Sequence, residues 1–356
     1  MKARLIVAAA AVALQVAVLG FMAGQREFVL RNGQPILLRT APIDPNDPMR
    51  GNYARFTYDI SSVPRSFWRG GLKGKFDAKD YNYQQGRDLR VFAALQLSES
   101  GVAELVSLSD EAPSGGLFLQ GRVDRHDGTR LNVRYGIEAM FMEQGKSQKL
   151  EDTRRVERPG APIDAEVSVN GSGLAVLKGY HWEPLGITAS FERETTPAPV
   201  VRNNAPRPSL PRQFVRAVKI ELKNYGPEEV AIVDLPDAGS LRLVPDFRGQ
   251  VEPHYRWSGE ARVVARPAAA HVIVLKPGQS HVMRIDLMQP EWFVVDTKAP
   301  NSAPISLRDV TDPSAAMFRI EYAPPSQADS AGLPNAPLIS RGRLLSRAFN
   351  ATSNVD

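Results

Sequence analysis

The chain opens with a long run of apolar residues. Lys2 and Arg4 precede nineteen residues, 5–23, that carry no charge. As a helix rising about 1.5 Å per residue, this run measures roughly 28 Å, close to the hydrocarbon thickness of a bilayer. Positive charge before such a helix retains the N-terminus in the cytoplasm. The pattern predicts a transmembrane helix within residues 1–24, single-pass in the cytoplasmic membrane, with the bulk of the chain periplasmic or otherwise extracytoplasmic.

A cleaved signal peptide is the competing interpretation of this run. Signal peptides also begin with basic residues, but their apolar core is about 7–15 residues long and ends at a small-x-small site. Here the run is longer, and it ends in Phe21-Met22-Ala23, which places a bulky side chain where a small one is needed. We therefore expect an uncleaved anchor. Arg26 and Arg31, just after the run, count against the orientation.

Beyond the anchor, apolar and polar residues alternate with a period of two. Leu131 to Phe141 is apolar at each odd position, and Val218, Ile220 and Leu222 alternate with charged residues. Strands with one solvated face give this period, whereas an amphipathic helix gives a period near 3.6. The pattern predicts a mainly β protein with antiparallel sheets.

Turn signals separate the predicted strands. Residues 170–173 read Asn-Gly-Ser-Gly between two apolar alternating segments, which predicts a hairpin. Residues 271–287 read as a strand, the turn Lys-Pro-Gly-Gln-Ser, and another strand.

A proline-rich segment suggests how the exported part is divided. Five prolines fall within fifteen residues around positions 197–211, a composition typical of an extended linker. We expect a β domain over 25–195, a linker over 196–212, and a second β domain over 213–356. The short strand intervals in the last region favour a β-sandwich of immunoglobulin-like architecture.

Composition and charge exclude several classes of protein. The chain has 356 residues and no cysteine, which removes disulfides, thiol nucleophiles and cysteine-ligated metals. Its net charge of +5 is too small, without clustering, to indicate a nucleic-acid surface. The histidines form no HExxH motif, and neither a Gly-x-Ser-x-Gly elbow nor a Ser-x-x-Lys dyad is present. No cofactor and no metal site is predicted.

One segment stands out by its density of turn residues. Residues 44–58 begin with alternating acidic, amide and proline residues that build consecutive turns, and Gly51-Asn52 can supply positive φ. A strand is expected from Tyr53, with Phe56 and Tyr58 on one face.

This segment resembles the signature of the bacterial membrane-anchored GDYXXLXY family. Gly51, Tyr53 and Tyr58 match the motif, Asn52 replaces its Asp, and Phe56 replaces its Leu. Two further groups fit the resemblance, namely the preceding turn residues Asp44, Asp47 and Arg50 and the later block Tyr135, Gly136 and Glu138. The resemblance covers about residues 25–190 and implies an exported module, often encoded beside multi-spanning membrane proteins.

Each motif residue also has a structural interpretation. Pro45 and Pro48 stiffen the acidic run and disrupt the alternate spacing that a calcium loop requires, so turn construction is favoured over cation binding. Arg50 and Glu138 fit either an ion pair on a binding surface or solvated strand positions. The aromatic members Tyr53, Phe56 and Tyr58 are expected to pack in the core and the sheet, in preference to forming a ligand platform.

Three functional hypotheses follow. The leading one is a non-catalytic interaction or accessory module that contacts an envelope or multi-spanning membrane protein. The second is an exported hydrolase or carbohydrate-active enzyme whose carboxylates converge only in three dimensions, with Asp44, Asp47, Glu138 and Glu151 as first candidates. The third is a small-ligand sensor, which would need an enclosed cavity.

Overall fold

The computed structural model describes residues 2–40, 53–76, 86–127, 129–143, 145–196, 212–246, 254–310 and 317–354. In the N-terminal helix, side chains are described from residue 10 onward. The chain divides into two compact units, one formed by residues 1–147 and 163–181 and the other by residues 148–162 and 182–356.

The first unit begins with a long helix and continues in short strands. Its elements are α1 (Lys2–Asn32), β1 (Gln34–Arg39), β2 (Tyr53–Arg55), β3 (Ser62–Pro64), α2 (Leu72–Lys75), β4 (Arg90–Leu97), β5 (Ala103–Ser109), β6 (Phe118–His126), β7 (Arg130–Arg134), β8 (Ala139–Phe141), β9 (Ile163–Val169) and β10 (Ala175–Trp182). A further helix, α3 (Lys146–Asp152), crosses the division between the units and leads into a π-helical turn at Thr153–Glu157.

The second unit contains the remaining strands. They are β11 (Leu185–Thr196), β12 (Arg212–Asn224), β13 (Val230–Val233), β14 (Leu241–Pro245), β15 (Tyr255–Trp257), β16 (Val272–Leu275), β17 (Ser280–Asp286), β18 (Val294–Asp296), β19 (Met317–Tyr322), β20 (Leu344–Leu345), β21 (Phe349–Asn350) and β22 (Thr352–Asn354), with the short helix α4 (Gln327–Ser330) after β19. The expectation of a mainly β protein with antiparallel sheets is confirmed.

The predicted N-terminal helix is present as α1, one continuous element. Its last turn joins the first unit, since Val29 is fully buried and Gly33 N–H donates to Val29 C=O at 2.8 Å. Among the residues whose side chains the structure describes, which in α1 begin at residue 10, none of the helices combines the length and the apolar character needed to cross a membrane.

Three antiparallel sheets form the first unit. Their strand orders are β3-β7-β6-β4-β5, β1-β9-β10 and β2-β8. The predicted hairpin is confirmed at β9–β10, where the Asn170 side-chain carbonyl accepts hydrogen bonds from Ser172 N–H and Leu174 N–H. Gly173 in this turn has φ +79°, which glycine adopts without strain.

The alternation from Leu131 to Phe141 correctly predicts which residues are buried, but it does not predict where the strand ends. Leu131, Val133, Tyr135 and Ile137 are all buried. The ladder nevertheless stops at Arg134 and resumes only at Ala139, so β7 and β8 are separate strands in different sheets. The break follows from a turn at residues 135–138, described below.

The second unit is organised around an extended hairpin, β11–β12. β12 also pairs with β17 and β22, and the other sheets have the orders β13-β16, β14-β19-β20 with β21 beside β19, and β15-β18. Val218, Ile220 and Leu222 of β12 are fully buried and join one large apolar cluster, as their alternation predicts. The two strands expected over 271–287 both form, but β16 pairs with β13 and β17 pairs with β12.

The boundaries between the two compact units do not fall at the proline-rich segment. β11 and β12 lie on either side of that segment and pair from Leu185–Asn224 to Thr196–Arg212, so residues 185–195 belong to the second unit. Residues 197–211 lie outside the described part of the chain. A proline-rich composition suits the loop of a hairpin as well as a linker, because neither needs ladder donors.

Candidate functional site

The GDYXXLXY-like motif is only partly within the described residues. Asp44, Asp47, Arg50, Gly51 and Asn52 lie outside them. Tyr53 stands at the start of β2, where its backbone pairs with that of Phe141 in β8. After β2 the ladder ends, but the alternation persists, with Phe56, Tyr58 and Ile60 buried.

Tyr58, the last motif residue, is fixed at both its ends. Its side chain is 1% exposed, and its hydroxyl donates to the backbone carbonyl of Ile137 at 2.6 Å. Its own N–H donates to Ser61 Oγ at 3.2 Å, which closes the short 3₁₀ turn of residues 59–61. A single antiparallel bridge joins Tyr58 to Thr40 after β1. The ring therefore links the motif to a segment about eighty residues later in the chain.

Tyr135 makes an equivalent hydrogen bond in the opposite direction. It lies just after β7, is 5% exposed, and its hydroxyl donates to the backbone carbonyl of Ile60 at 2.8 Å. Tyr58 thus reaches from the motif to the turn after β7, and Tyr135 reaches from that turn back to the motif. We call this pair of bonds the reciprocal tyrosine brace.

Glu138 builds the turn that supports the brace. Its two carboxylate oxygens accept the backbone N–H groups of Tyr135 and Gly136, one each. Gly136 has φ +79°, and Phe56 N–H donates to the Glu138 backbone carbonyl at 2.7 Å. Charge-assisted bonds of this kind are among the stronger hydrogen bonds in proteins. They explain why β7 ends although the alternation continues.

The environment holds both tyrosines in their neutral form. Burial is the main cause that raises the pKa of Tyr58 and of Tyr135 above the ordinary tyrosine value, and the negative charge of Glu138 raises both pKa values further. A neutral phenol donates its proton to a hydrogen bond and is a poor general base near pH 7. The brace is therefore suited to holding two backbone segments together.

The remaining described motif residue, Phe56, packs as a core side chain. It is 2% exposed, and its ring centre lies 6.1 Å from that of Tyr180 in β10 with the planes tilted by 44°. This geometry is within the range of favourable aromatic pairs. Phe56 and Tyr58 thus lie in the interior, as expected, whereas the side chain of Tyr53 lies outside the described part of the chain.

Of the carboxylates proposed for an enzyme, the structure describes Glu138 and Glu151. Both oxygens of Glu138 are used in the turn, and Glu151 lies half-buried in α3. Asp44 and Asp47 fall among the undescribed residues. The hydrolase hypothesis stays untested.

A cleft in the second unit was not anticipated from the sequence. It has a volume of about 660 Å³ and is lined by residues 234–238, residues 282–286, and Gln289, Glu291 and Trp292. One wall is a strained turn, because Asp237 and Ala238 have φ values of +54° and +52°. The Pro236-Asp237 pair is a turn signal, but it does not indicate what the turn faces.

Arg262 holds this turn in place. Its Nη2 donates to the carbonyls of Ala238 at 2.8 Å and Leu241 at 2.7 Å. Its guanidinium carbon lies 5.0 Å from the ring centre of Trp257 and 5.1 Å from that of Trp292, which stack on each other. Burial lowers the pKa of Arg262, and the rings and carbonyls compensate for part of the lost hydration.

The region that contains the brace is similar to a known protein family. No curated relative and no solved structure matches the chain. A family model described as "GDYXXLXY protein" matches residues 15–179, which include α1 from residue 15, the motif and the Tyr135–Glu138 turn. On the motif, the later block and this match, residues 15–179 match the GDYXXLXY family.

Proposed function

We propose that this protein is a membrane-tethered extracytoplasmic module that acts by contacting another envelope or multi-spanning membrane protein, and that it is not itself a catalyst. In this proposal α1 anchors the chain in the cytoplasmic membrane through residues 5–23. The observation that carries it is the exposure of the apolar side chains on α1. They are 50–72% exposed in a helix of 31 residues, and they are Val12, Leu14, Val16, Val18, Leu19, Phe21 and Met22.

The exposed side chains give a large driving force for insertion into lipid. Burial of one fully exposed side chain of this size is worth about 1.5–3 kcal/mol, so these half-exposed side chains together favour a hydrocarbon environment by about 6–13 kcal/mol. They surround the helix instead of forming one stripe, which suits a helix surrounded by lipid better than one lying on a protein surface.

The two ends of α1 suit a tether. Lys2 and Arg4 favour retention of the N-terminus in the cytoplasm. At the other end, Glu27 pairs with Arg31 at 2.6 Å, which offsets one of the positive charges that follow the apolar run. The buried Val29 then joins the helix to the first unit.

Membrane extraction and a reporter fusion test the anchor. The intact chain should remain with membranes washed in alkaline carbonate, and a periplasmic reporter fused after Asp356 should be active. Replacing Leu14 and Val18 by lysine costs about 2.5–3.5 kcal/mol per residue at a helix centre and should release the protein, whereas Leu14→Ile with Val18→Leu should not. Recovery of the intact wild-type chain from the soluble cytosol would contradict the proposal.

A measurement of the mass of the mature chain distinguishes an uncleaved anchor from a cleaved signal peptide. Retention of residues 1–24 supports the anchor. A product that begins near residue 24 would mean that the exported part is released, and the tether would be abandoned.

The described motif residues support an interaction role. The hydroxyls of Tyr58 and Tyr135 and the carboxylate of Glu138 are all directed at backbone groups, so they build the first unit. We therefore assign recognition to the surfaces of the two units. Crosslinking in intact cells should capture the same envelope protein repeatedly, and the failure of repeated captures to agree would count against this assignment.

We further propose that the second unit is a two-layer sandwich of immunoglobulin-like architecture. In support, its apolar cluster combines Ile220 and Met283 of one sheet with Leu243 and Phe318 of another. Packed sheets of this class lie about 10 Å apart with strands aligned within about 30°. An experimental structure with the two sheets crossing at right angles would refute the assignment.

A further inference from the structure

The outer edge of β17 presents backbone groups that its sheet does not use. β17 pairs with β12, and among the described strands it has no neighbour on its other side. Leu287 N–H donates to Arg216 C=O, and Asn224 N–H donates to Gln279 C=O, which fixes the hydrogen-bonded pairs of this ladder. Residues of an antiparallel strand alternate between bonding to one side and to the other.

This alternation decides which groups point outward. The register places the N–H and C=O groups of the odd residues 281, 283 and 285 toward β12. Those of Val282, Arg284 and Asp286 then point away from the sheet. Gln289 N–H donates to Asp286 C=O at 3.2 Å, whereas no described residue bonds the outward groups of Val282 or Arg284.

The residues that carry the outward groups line the cleft of the second unit. Residues 282–286 form one side of it, and the turn of residues 234–238, held by Arg262, forms another. At about 3.3 Å per residue, five strand residues extend roughly 16 Å, enough for a short segment to pair with. An unpaired edge with donors and acceptors is the feature to which an added peptide strand binds.

The charges around the cleft indicate which kind of peptide segment would bind there. Its one lining cation among the described residues, Arg284, is bonded to Glu192 at 2.8 Å. The lining carboxylates are Asp237 and Glu291, together with Asp234, which is bonded to His281 at 2.7 Å, and Asp286, which accepts Met288 N–H. Val282 is 56% exposed and Trp292 closes one side, so apolar surface lies beside the acidic groups. A segment that alternates cationic and apolar side chains complements this surface.

We propose that the cleft beside β17 binds an extended, lysine- or arginine-bearing segment of a partner protein, which pairs with the outer edge of β17 as an added strand. The inference rests on the proposed function, since it names the surface by which the module contacts its partner. The main-chain bonds supply affinity, and the carboxylates select cationic side chains.

A labelled peptide of alternating lysine and valine tests the proposal against the full chain in detergent micelles. The wild type should bind it, and a peptide with glutamate in place of each lysine should bind at least tenfold more weakly. Val282→Pro removes the outward N–H without touching the ladder to β12, since proline is tolerated at such edge positions. This variant should weaken binding about three- to tenfold, whereas Val282→Thr, which keeps the N–H, should change it less than twofold.

Two further measurements keep the test independent of the folding of the proline variant. N-methylation of alternate peptide amides should abolish binding to the wild-type protein when it falls on the residues facing β17. The double variant Asp237→Asn with Glu291→Gln should weaken binding about threefold or more and reduce its dependence on salt.

The outcomes separate the cleft from the wider proposal. Equal binding of both peptides, or equal binding by Val282→Pro and Val282→Thr, would overturn the cleft while leaving the tether and its crosslinked partner standing. Self-association that Val282→Pro abolishes, without peptide binding, would identify a second copy as the occupant and overturn the partner segment. Peptide binding by a protein that fails membrane extraction would refute the tether alone.

Discussion

Removing the hydroxyls of the reciprocal tyrosine brace tests whether the motif is structural. Tyr58→Phe deletes the 2.6 Å bond to Ile137 C=O, and Tyr135→Phe deletes the 2.8 Å bond to Ile60 C=O. Each change leaves a carbonyl without this donor in a buried region. A buried acceptor left without its partner costs about 1–3 kcal/mol, and we expect that loss in the free energy of unfolding for each variant.

The two losses should not add. Both bonds join the same two segments, so loss of one loosens the geometry of the other, and the double variant should lose about 0.5–1 kcal/mol less than the sum. Tyr225→Phe is a matched control. Its hydroxyl also donates to a backbone carbonyl, that of Pro159, but at 3.2 Å and at a half-exposed position. It should cost about 1 kcal/mol or less.

The same variants predict a dependence on pH. Burial raises the folded-state pKa of both tyrosines, so the folded state keeps its protons at a pH where the unfolded chain loses them. The stabilisation is complete below about pH 10 and is lost as the pH rises above it, by about 1.4 kcal/mol per pH unit for each tyrosine. Each phenylalanine variant should reduce this slope.

Urea-dependent hydrogen exchange read by mass spectrometry measures these effects for the two units separately. Amides of β3 and β7 report on the brace, and amides of β12 report on the second unit. A loss below about 0.5 kcal/mol in Tyr58→Phe or strict additivity in the double variant would refute the reasoning. The slope above about pH 10 is measured by urea unfolding followed by circular dichroism, because amide exchange is too fast at that pH, and an unchanged slope would also refute it.

Three further changes have defined outcomes in urea unfolding. Glu138→Gln should cost about 1–2 kcal/mol, because one amide oxygen replaces two carboxylate oxygens that each accept a backbone N–H, and an unchanged midpoint would contradict this. Gly160→Ala should cost more than about 2 kcal/mol, because φ is +75° and the new Cβ would lie 1.9 Å from Ile187 O. Gly101→Ala, with φ +80° and open space, should cost about 1 kcal/mol. Asn224→Ala should cost about 2–4 kcal/mol, because the buried amide bonds three backbone groups; a loss below 1 kcal/mol would show that water replaces them.

Burial in the first unit could be predicted better than its strand boundaries. The period of two identified Leu131, Val133, Tyr135 and Ile137 as interior residues, and all four are buried. It could not locate the end of β7, because that end depends on a side chain. The Glu138 carboxylate draws two N–H groups into a turn, and such a contact leaves no periodic signal.

The brace itself could not be predicted from the sequence. A tyrosine hydroxyl that bonds a backbone carbonyl places no demand on the identity of the residue that carries the carbonyl. Ile60 and Ile137 therefore look like ordinary core positions. Only the resemblance of the motif and of the later Tyr135, Gly136 and Glu138 block indicated the two segments that it joins.

The acidic cleft could not be predicted from the sequence either, for a different reason. Its residues come from segments about fifty positions apart, 234–238 and 282–292, and each segment alone is typical of a turn or a strand. Val282 is the one local signal, since it is an apolar residue on the polar face of β17 and remains 56% exposed. Which strand would lie at a sheet edge depends on topology and cannot be read from the alternation.

The pairing of β11 with β12 has a practical consequence for engineering. The ladder extends to Thr196 and Arg212, so the fifteen residues between them start and finish on adjacent strands. Paired Cα atoms in such ladders are about 5 Å apart, a spacing that a fluorescent reporter with short flexible arms can match. Because closure entropy grows with the logarithm of length, doubling the number of residues in a flexible connection between such a pair costs only about 0.6 kcal/mol. Insertions at this position should leave both flanking strands in register.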